Sequence, residues 1–326
     1  MGTLNRQFED EEAVRAFLKN ELIWGAAAGT CKDVLLALEY ARAGIKVVTF
    51  GTLTLKENRG KTGRTFFYNP KTGNSINCGG LDNKGVDYYL PSLPTLRREL
   101  NALGSQLWVS GAVPGAFDPS GYYSMGQRLS LAGAADVYEG DLSCPNFDTG
   151  NGYEPPACFN PQHFSRGVEA FRNGLGRDAA LAVKHAPTKD WDLIRQNVFT
   201  CLKHGVQYLI FSNTIPNTRM VGPDKQSVID MPSGGGGGRQ LVPFNVRMLE
   251  IAAPLVRDTS LKLIAAGGVE CGQDAYDYLK CMASGFLFNT VLARYDYHPK
   301  VATRIIDGNN YFKGLAQILL ERGLPT

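Results

Sequence analysis

Short apolar runs rich in β-branched and aromatic residues alternate along the chain with longer segments of helical periodicity. This alternation predicts parallel β–α units. Strands are expected at Leu22–Gly25, Lys46–Gly51, Gln106–Ala112, Asp136–Leu142, Leu181–His185, Tyr208–Ser212, Lys262–Ala266 and Phe286–Val291. Helices are expected at Val34–Ala43, Leu93–Leu103, Gln162–Asn173, Trp191–His204, Asn245–Arg257 and Gln273–Met282. Glycine follows Ala43, Leu103 and His204, as at a left-handed helix C-terminus. Eight strands in one run, with no linker or break in composition, favour a closed α/β (β/α)8 TIM barrel over an open doubly wound sheet. Residues 1–21 read as an N-terminal helical extension and 22–326 as one domain. The third unit is irregular: Phe117–Gly133 is rich in Gly, Pro and Ser and need not form a full helix.

Three connections are long, Thr52–Val86, Pro145–Pro161 and Ile215–Pro243. All follow strands, so they rise from the C-terminal mouth, where barrel enzymes carry their chemistry. A length of 326 residues and a net charge of +3 without a dense basic tract argue against nucleic acid as an obligate partner. No apolar run approaches the roughly 18 residues of a membrane span, and the polar, acidic N-terminal stretch reads as neither a signal nor a transit peptide. The seven cysteines lack any metal-binding spacing, which points to no metal and to reduced thiols in a cytoplasmic setting.

Candidate chemistry collects at the strand ends. Gly267 and Gly268 end strand seven, and Asn289 and Thr290 sit in strand eight. Barrels often bind phosphate with the loops after these two strands. The glycine run ending at Gly238 lies in the long loop beside that corner. Lys184 ends strand five; a lysine at a barrel mouth suggests an anionic or electron-rich partner. His185 faces the other way along the strand and reads as structural. Strand four ends in Asp141-Leu-Ser-Cys144-Pro-Asn146, where a thiol with an ordinary pKa near about 8.5 can act as acid or base. Ser212, Asn213 and Thr214 after strand six, and Asn77-Cys-Gly79-Gly80-Leu81 in the first long loop, add hydrogen-bonding groups.

The segments SINCGGLDNKGVDYYL, DLSCPN, AVKHAP, SNTIPN, the glycine run before Arg239, AAGGVECGQDA and FNTVL together resemble the dihydroorotate dehydrogenase family, in its soluble class 1A form. The similarity runs from about Leu22 to the C-terminus. It implies a (β/α)8 barrel, FMN, and a homodimer acting on a small molecule. By this resemblance Ala26, Ala27, Ala28 and Gly29 pass beneath the flavin ring, Lys184 meets its electron-rich edge, and Gly51 and Ser212 also face the cofactor. Gly238, Gly267, Gly268, Asn289 and Thr290 would hold the phosphate. Asn77, Gly79, Gly80, Leu81, Asn146, Asn213 and Thr214 match substrate-contacting positions, and Cys144 matches the class 1 base.

Three departures fall on the substrate side. Phe50, or Gly51 if the alignment slips, stands where the family has a lysine; Asp141 replaces an Asn; Gly79 replaces a Met. The first two remove a positive charge and add a negative one, which disfavours an anionic substrate. The sequence therefore leads to an FMN-dependent oxidoreductase acting on a CH–CH bond beside a carbonyl in a small, heterocyclic substrate. Hydride would pass to or from flavin N5 and a proton to or from Cys144. The alternatives are a dihydroorotate dehydrogenase in which Lys56 or Arg59 supplies the lost cation, and a flavin-binding protein without catalysis.

Overall fold

Residues 5–144, 155–301 and 312–325 are described by the computed structural model of the chain. Eight parallel strands close into a barrel in the order they occur: β1 (Ile23–Cys31), β2 (Val47–Leu53), β3 (Gln106–Gly111), β4 (Val137–Asp141), β5 (Leu181–His185), β6 (Tyr208–Phe211), β7 (Lys262–Ala266) and β8 (Gly285–Phe288), with β7 pairing back onto β6. The chain is thus a (β/α)8 barrel. All eight expected strands are present. The eighth stops earlier than expected, because Asn289 leaves the strand and a short helix runs over Thr290–Ala293.

The third unit does contain a helix, Pro119–Leu131, so the composition of that stretch misled. Asp118 caps it by accepting from Ser120 N at 2.9 Å, and Pro119 occupies the first turn, where its missing N–H costs nothing. Glycines of this helix and of its neighbour serve packing. A Cβ on Gly126 would come within 2.6 Å of Phe171 O, and one on Gly174 within 2.2 Å of Tyr123 O. The helices Pro119–Leu131 and Pro161–Leu175 therefore approach more closely than alanine would permit.

Two of the long loops meet in a second sheet. Strands Phe66–Asn69 and Asn74–Asn77 from the first pair with strands Gly234–Gly238 and Ile215–Thr218 from the third, forming a four-stranded sheet. The five glycines are one of its inner strands. A Cβ at Gly234 would meet Asn77 O at 2.5 Å, and one at Gly238 would meet Gly73 O at 2.2 Å, so side chains are excluded there. Most of the loop 145–161 lies outside the described residues.

At the N-terminus, a helix over Glu11–Asn20 is capped by Asp10. Phe8, Val14 and Phe17 join the apolar layer that also contains the barrel strands and the helices around them. Residues 5–6 pair with residues 324–325. Among the described residues no helix is long and apolar enough to cross a membrane, and no cluster of His, Cys, Asp or Glu could hold a metal ion. None of the seven cysteines forms a disulfide.

Candidate active site

Alternation along each strand sends every second side chain into the barrel. Val47, Trp108, Val137, Ala182, Ile210 and Ile264 form an apolar plug inside it. Two residues further along, the inward positions turn polar: Ser110 on β3, Glu139 and then Asp141 on β4, Lys184 on β5 and Ser212 after β6. Above them lies a cavity of about 470 Å³ at the C-terminal mouth, within the range of small-molecule and cofactor sites.

Most sequence-expected residues meet there. Ala27, Ala28 and Gly29 from β1, Lys184, Ser212, Gly267, Asn289 and Thr290 line the cavity. So do Asn77, Gly79, Gly80 and Leu81, Asp141, Cys144, Asn213 and Thr214. Cys144 is buried and also lines a second cavity, of about 650 Å³, beside Val113, Tyr122 and the stacked Phe117 and His163 rings.

Five expected residues do not line the cavity, and Asn146 falls outside the described residues. Phe50 and Ala26 have the wrong parity: each belongs to the apolar layer between barrel and helices, and the Phe50 ring meets Tyr89 edge-on at 5.3 Å. Gly51 lies between Ser110 O and Leu53, where a Cβ would come within 2.7 Å of the former. After it the β2 register shifts, so Thr52 is the residue of this strand that reaches the cavity. Gly238 and Gly268 sit just behind the lining, and Gly237 faces it in place of Gly238. Lys56 and Arg59 are exposed and do not line the cavity, whereas Lys32 does, held by Asp82 O at 2.6 Å and Asp82 Oδ1 at 3.0 Å.

Lys184 is only 6% exposed, and its Nζ lies 3.9 Å from Oε1 of the fully buried Glu139. Ser110 Oγ donates to the same oxygen at 2.8 Å and is itself 3.0 Å from Thr52 Oγ1. Burial pushes the Glu139 carboxyl above the usual carboxylate range, while the Lys184 ammonium pulls it down. The sequence reading missed Glu139. The signal was its position two residues before Asp141 on the same strand face.

The Asp141 carboxylate is 2% exposed, and among the described residues its hydrogen-bond partners are neutral. Oδ1 accepts from Ser143 N (3.0 Å), Ser143 Oγ (2.7 Å) and Asn213 Nδ2 (3.3 Å), and Oδ2 from Asn213 Nδ2 (3.4 Å). Asn213 turns its carbonyl oxygen to Thr214 N at 2.8 Å. A Cβ on Gly79 would meet nothing closer than Asp82 Oδ1 at 3.9 Å, so that wall of the cavity is open.

At the opposite corner the hydroxyls of Ser75 and Thr290 lie 3.0 Å apart, at the start of the short helix after β8. Gly267 and Gly268 take φ values of +83° and +80°, a conformation that favours glycine, and of the two Gly267 presents bare backbone to the cavity. Their position is fixed from behind. Asn245 joins Ser212 Oγ (2.7 Å), Ala266 O (2.9 Å) and the Tyr278 hydroxyl (3.2 Å), and that hydroxyl donates to Gly267 O (2.9 Å). Hydroxyls, bare backbone and a helix start form a donor set suited to phosphate. A buried ammonium in the same cavity suits an electron-rich ring, so the residues present fit a flavin mononucleotide.

The comparisons agree with this geometry. The family model described as Dihydroorotate dehydrogenase matches residues 13–310. The chain is 26% identical over 258 residues to dihydroorotate dehydrogenase A (fumarate) of Lactococcus lactis subsp. cremoris, covering 77% of this chain and 76% of the relative. It is 25% identical over 255 residues to the catalytic subunit of dihydroorotate dehydrogenase B (NAD(+)) of Methanopyrus kandleri, covering 78% and 76%. The dihydroorotate dehydrogenase of Eimeria tenella, solved with ferulenol, superposes with a TM-score of 0.75 at 22% identity, covering 93% of this chain and 82% of that one; at that identity the likeness speaks for the fold. By its sequence and its barrel, the chain belongs to the dihydroorotate dehydrogenase family of FMN-dependent oxidoreductases.

Proposed function

We propose that this enzyme exchanges a hydride between FMN and a CH–CH bond beside a carbonyl, in a neutral or cationic ring rather than an anionic one. The single observation carrying this reading is the charge pattern of the cavity. Asp141 is buried against neutral partners, and β2 supplies Thr52 in place of a cation. When bound, FMN accepts or returns the hydride. Thr290, Ser75 and the Gly267 backbone would hold its phosphate, and Lys184 would meet the electron-rich edge of its ring.

The remaining steps belong to side chains of this chain. Asp141 accepts hydrogen bonds from the ligand and selects for donors. Asn213 is fixed by Asp141, Ser143 and Thr214 N and orients the substrate beside it. Asn77, Gly79, Gly80, Leu81, Thr214 and Asn146 complete the substrate side in this proposal. Cys144 takes the proton from the carbon next to the hydride-exchanging one, or returns it in the reductive direction. A homodimer in the cytoplasm, implied by the class 1A likeness, belongs to the same proposal.

Family membership supports a second reading, oxidation of dihydroorotate itself. In that case Lys32, a second cation on the cavity wall besides Lys184, would leave Asp82 to meet the substrate carboxylate. Anaerobic bleaching of bound oxidised FMN by a panel of cyclic substrates separates the two. Neutral or cationic rings are expected to reduce the flavin faster than dihydroorotate, and rapid bleaching by dihydroorotate alone would establish the second reading.

A further inference from the structure

The buried polar row beneath the cavity has no role in the steps above, yet it is an unusual thing to find inside a barrel. The neighbouring inward positions are Val, Ile, Ala and Trp. Among them stand a fully buried carboxylate, Glu139, and two hydroxyls, Ser110 and Thr52, joined in line. In strand register Lys184 is the neighbour of Asp141. Among the described residues, however, its ammonium forms its ion pair with Glu139, one layer deeper, while Asp141 turns to Ser143 and Asn213.

We propose that Glu139 is the counter-ion and positioning residue of Lys184: it holds the ammonium at the cavity floor and sets how much positive charge the site presents to an electron-rich ligand. Several observations support this. Among the described residues the carboxylate has one hydrogen bond, from Ser110, and its second oxygen, Oε2, has no hydrogen-bond partner, so the ammonium is its main compensation. A buried charge without a partner is strongly destabilising, which gives each member of the pair a reason to stay. The 3.9 Å separation exceeds hydrogen-bond length, so the ammonium is attracted without being fully saturated and keeps donors for a ligand above. The charged groups facing Glu139 are Lys184 on β5 and Asp141 on its own strand; β3 contributes only the Ser110 hydroxyl and β2 only Thr52.

This inference rests on the reading of the cavity as an FMN site, and its test separates the two. The holoenzyme and its Glu139→Gln variant are compared for the midpoint potential of bound FMN and for affinity towards sulfite, which adds to the flavin and leaves it anionic. Removing the negative charge is expected to favour the anionic reduced flavin at least tenfold, a rise of about 30 mV for a two-electron couple, with sulfite bound more tightly. In the apoprotein, Glu139→Gln and Lys184→Met should each lower the melting temperature. The double variant should lose less than the sum of the two, and it should fold even if Glu139→Gln alone does not. An unchanged potential in flavin-loaded Glu139→Gln, or an additive cycle in the apoprotein, overturns the proposal. Failure of the unaltered protein to take up FMN would instead overturn the parent reading.

Discussion

Replacing Asp141 by Asn changes one charge and almost no volume, so its effect on ligand charge can be worked from the site. Oδ1, which accepts from Ser143 N and Oγ at 3.0 and 2.7 Å, stays an oxygen. The new amide replaces Oδ2, whose hydrogen bond among the described residues is the long 3.4 Å one from Asn213 Nδ2; two amide donors then face each other there, and the fold gives up one weak contact. A ligand carboxylate bound in the cavity at about 7 Å from Asp141, in a medium of effective dielectric constant about 20, is repelled by roughly 2 kcal/mol. Removing that repulsion is expected to tighten orotate binding about thirtyfold. Flavin difference spectra titrated with orotate, in the unaltered protein and in Asp141→Asn, measure this directly. An affinity that changes by less than threefold, with the melting temperature unaltered, would refute the assignment of Asp141 as the charge-selecting residue.

Other positions respond in characteristic ways. Phe50→Lys should not restore a cation to the cavity, because the side chain enters the apolar layer against Tyr89; it should cost about 3 kcal/mol or more of stability with no gain in orotate affinity, as thermal melts and the same titration would report. Gly79→Met should fold normally, since its Cβ meets only Asp82 at 3.9 Å, and should raise KM for bulky substrates by filling the open wall. His185 is pushed down to about 4 by burial. Its Nδ1–H donates to Ala186 O and its Nε2 accepts from Asn197, which suits the neutral ring. Because the unfolded chain binds this proton first, the stability contribution is present above about pH 6.5 and is lost as pH falls towards 4, by up to about 3 kcal/mol. His185→Gln should flatten that part of the acid-unfolding curve.

The β–α alternation made the barrel legible, because strand and helix periods differ and strands buried on both faces read as continuous apolar runs. The site was legible where chemistry sits at a strand end with inward parity, as at Lys184 and Asp141. The same parity rule, applied to Lys184 and His185, also settles Phe50, which faces outward, and brings Glu139 inward; family likeness had placed Phe50 in the pocket instead. The glycine strand was illegible because its stability comes from pairing with Asn74–Asn77, not from any propensity of glycine. The helix Pro119–Leu131 was obscured for a related reason: Gly126 and Gly174 weaken their helices locally but permit the close contact between them.

The proposed proton transfer by Cys144 is tested most directly by anaerobic stopped-flow of the substrate half-reaction in Cys144→Ala. The variant is expected to bind FMN and remain yellow, while flavin reduction by substrate, or reoxidation by product, slows by on the order of 10²–10⁴-fold. A half-reaction at the unaltered rate would contradict that role and remove the thiol from the mechanism.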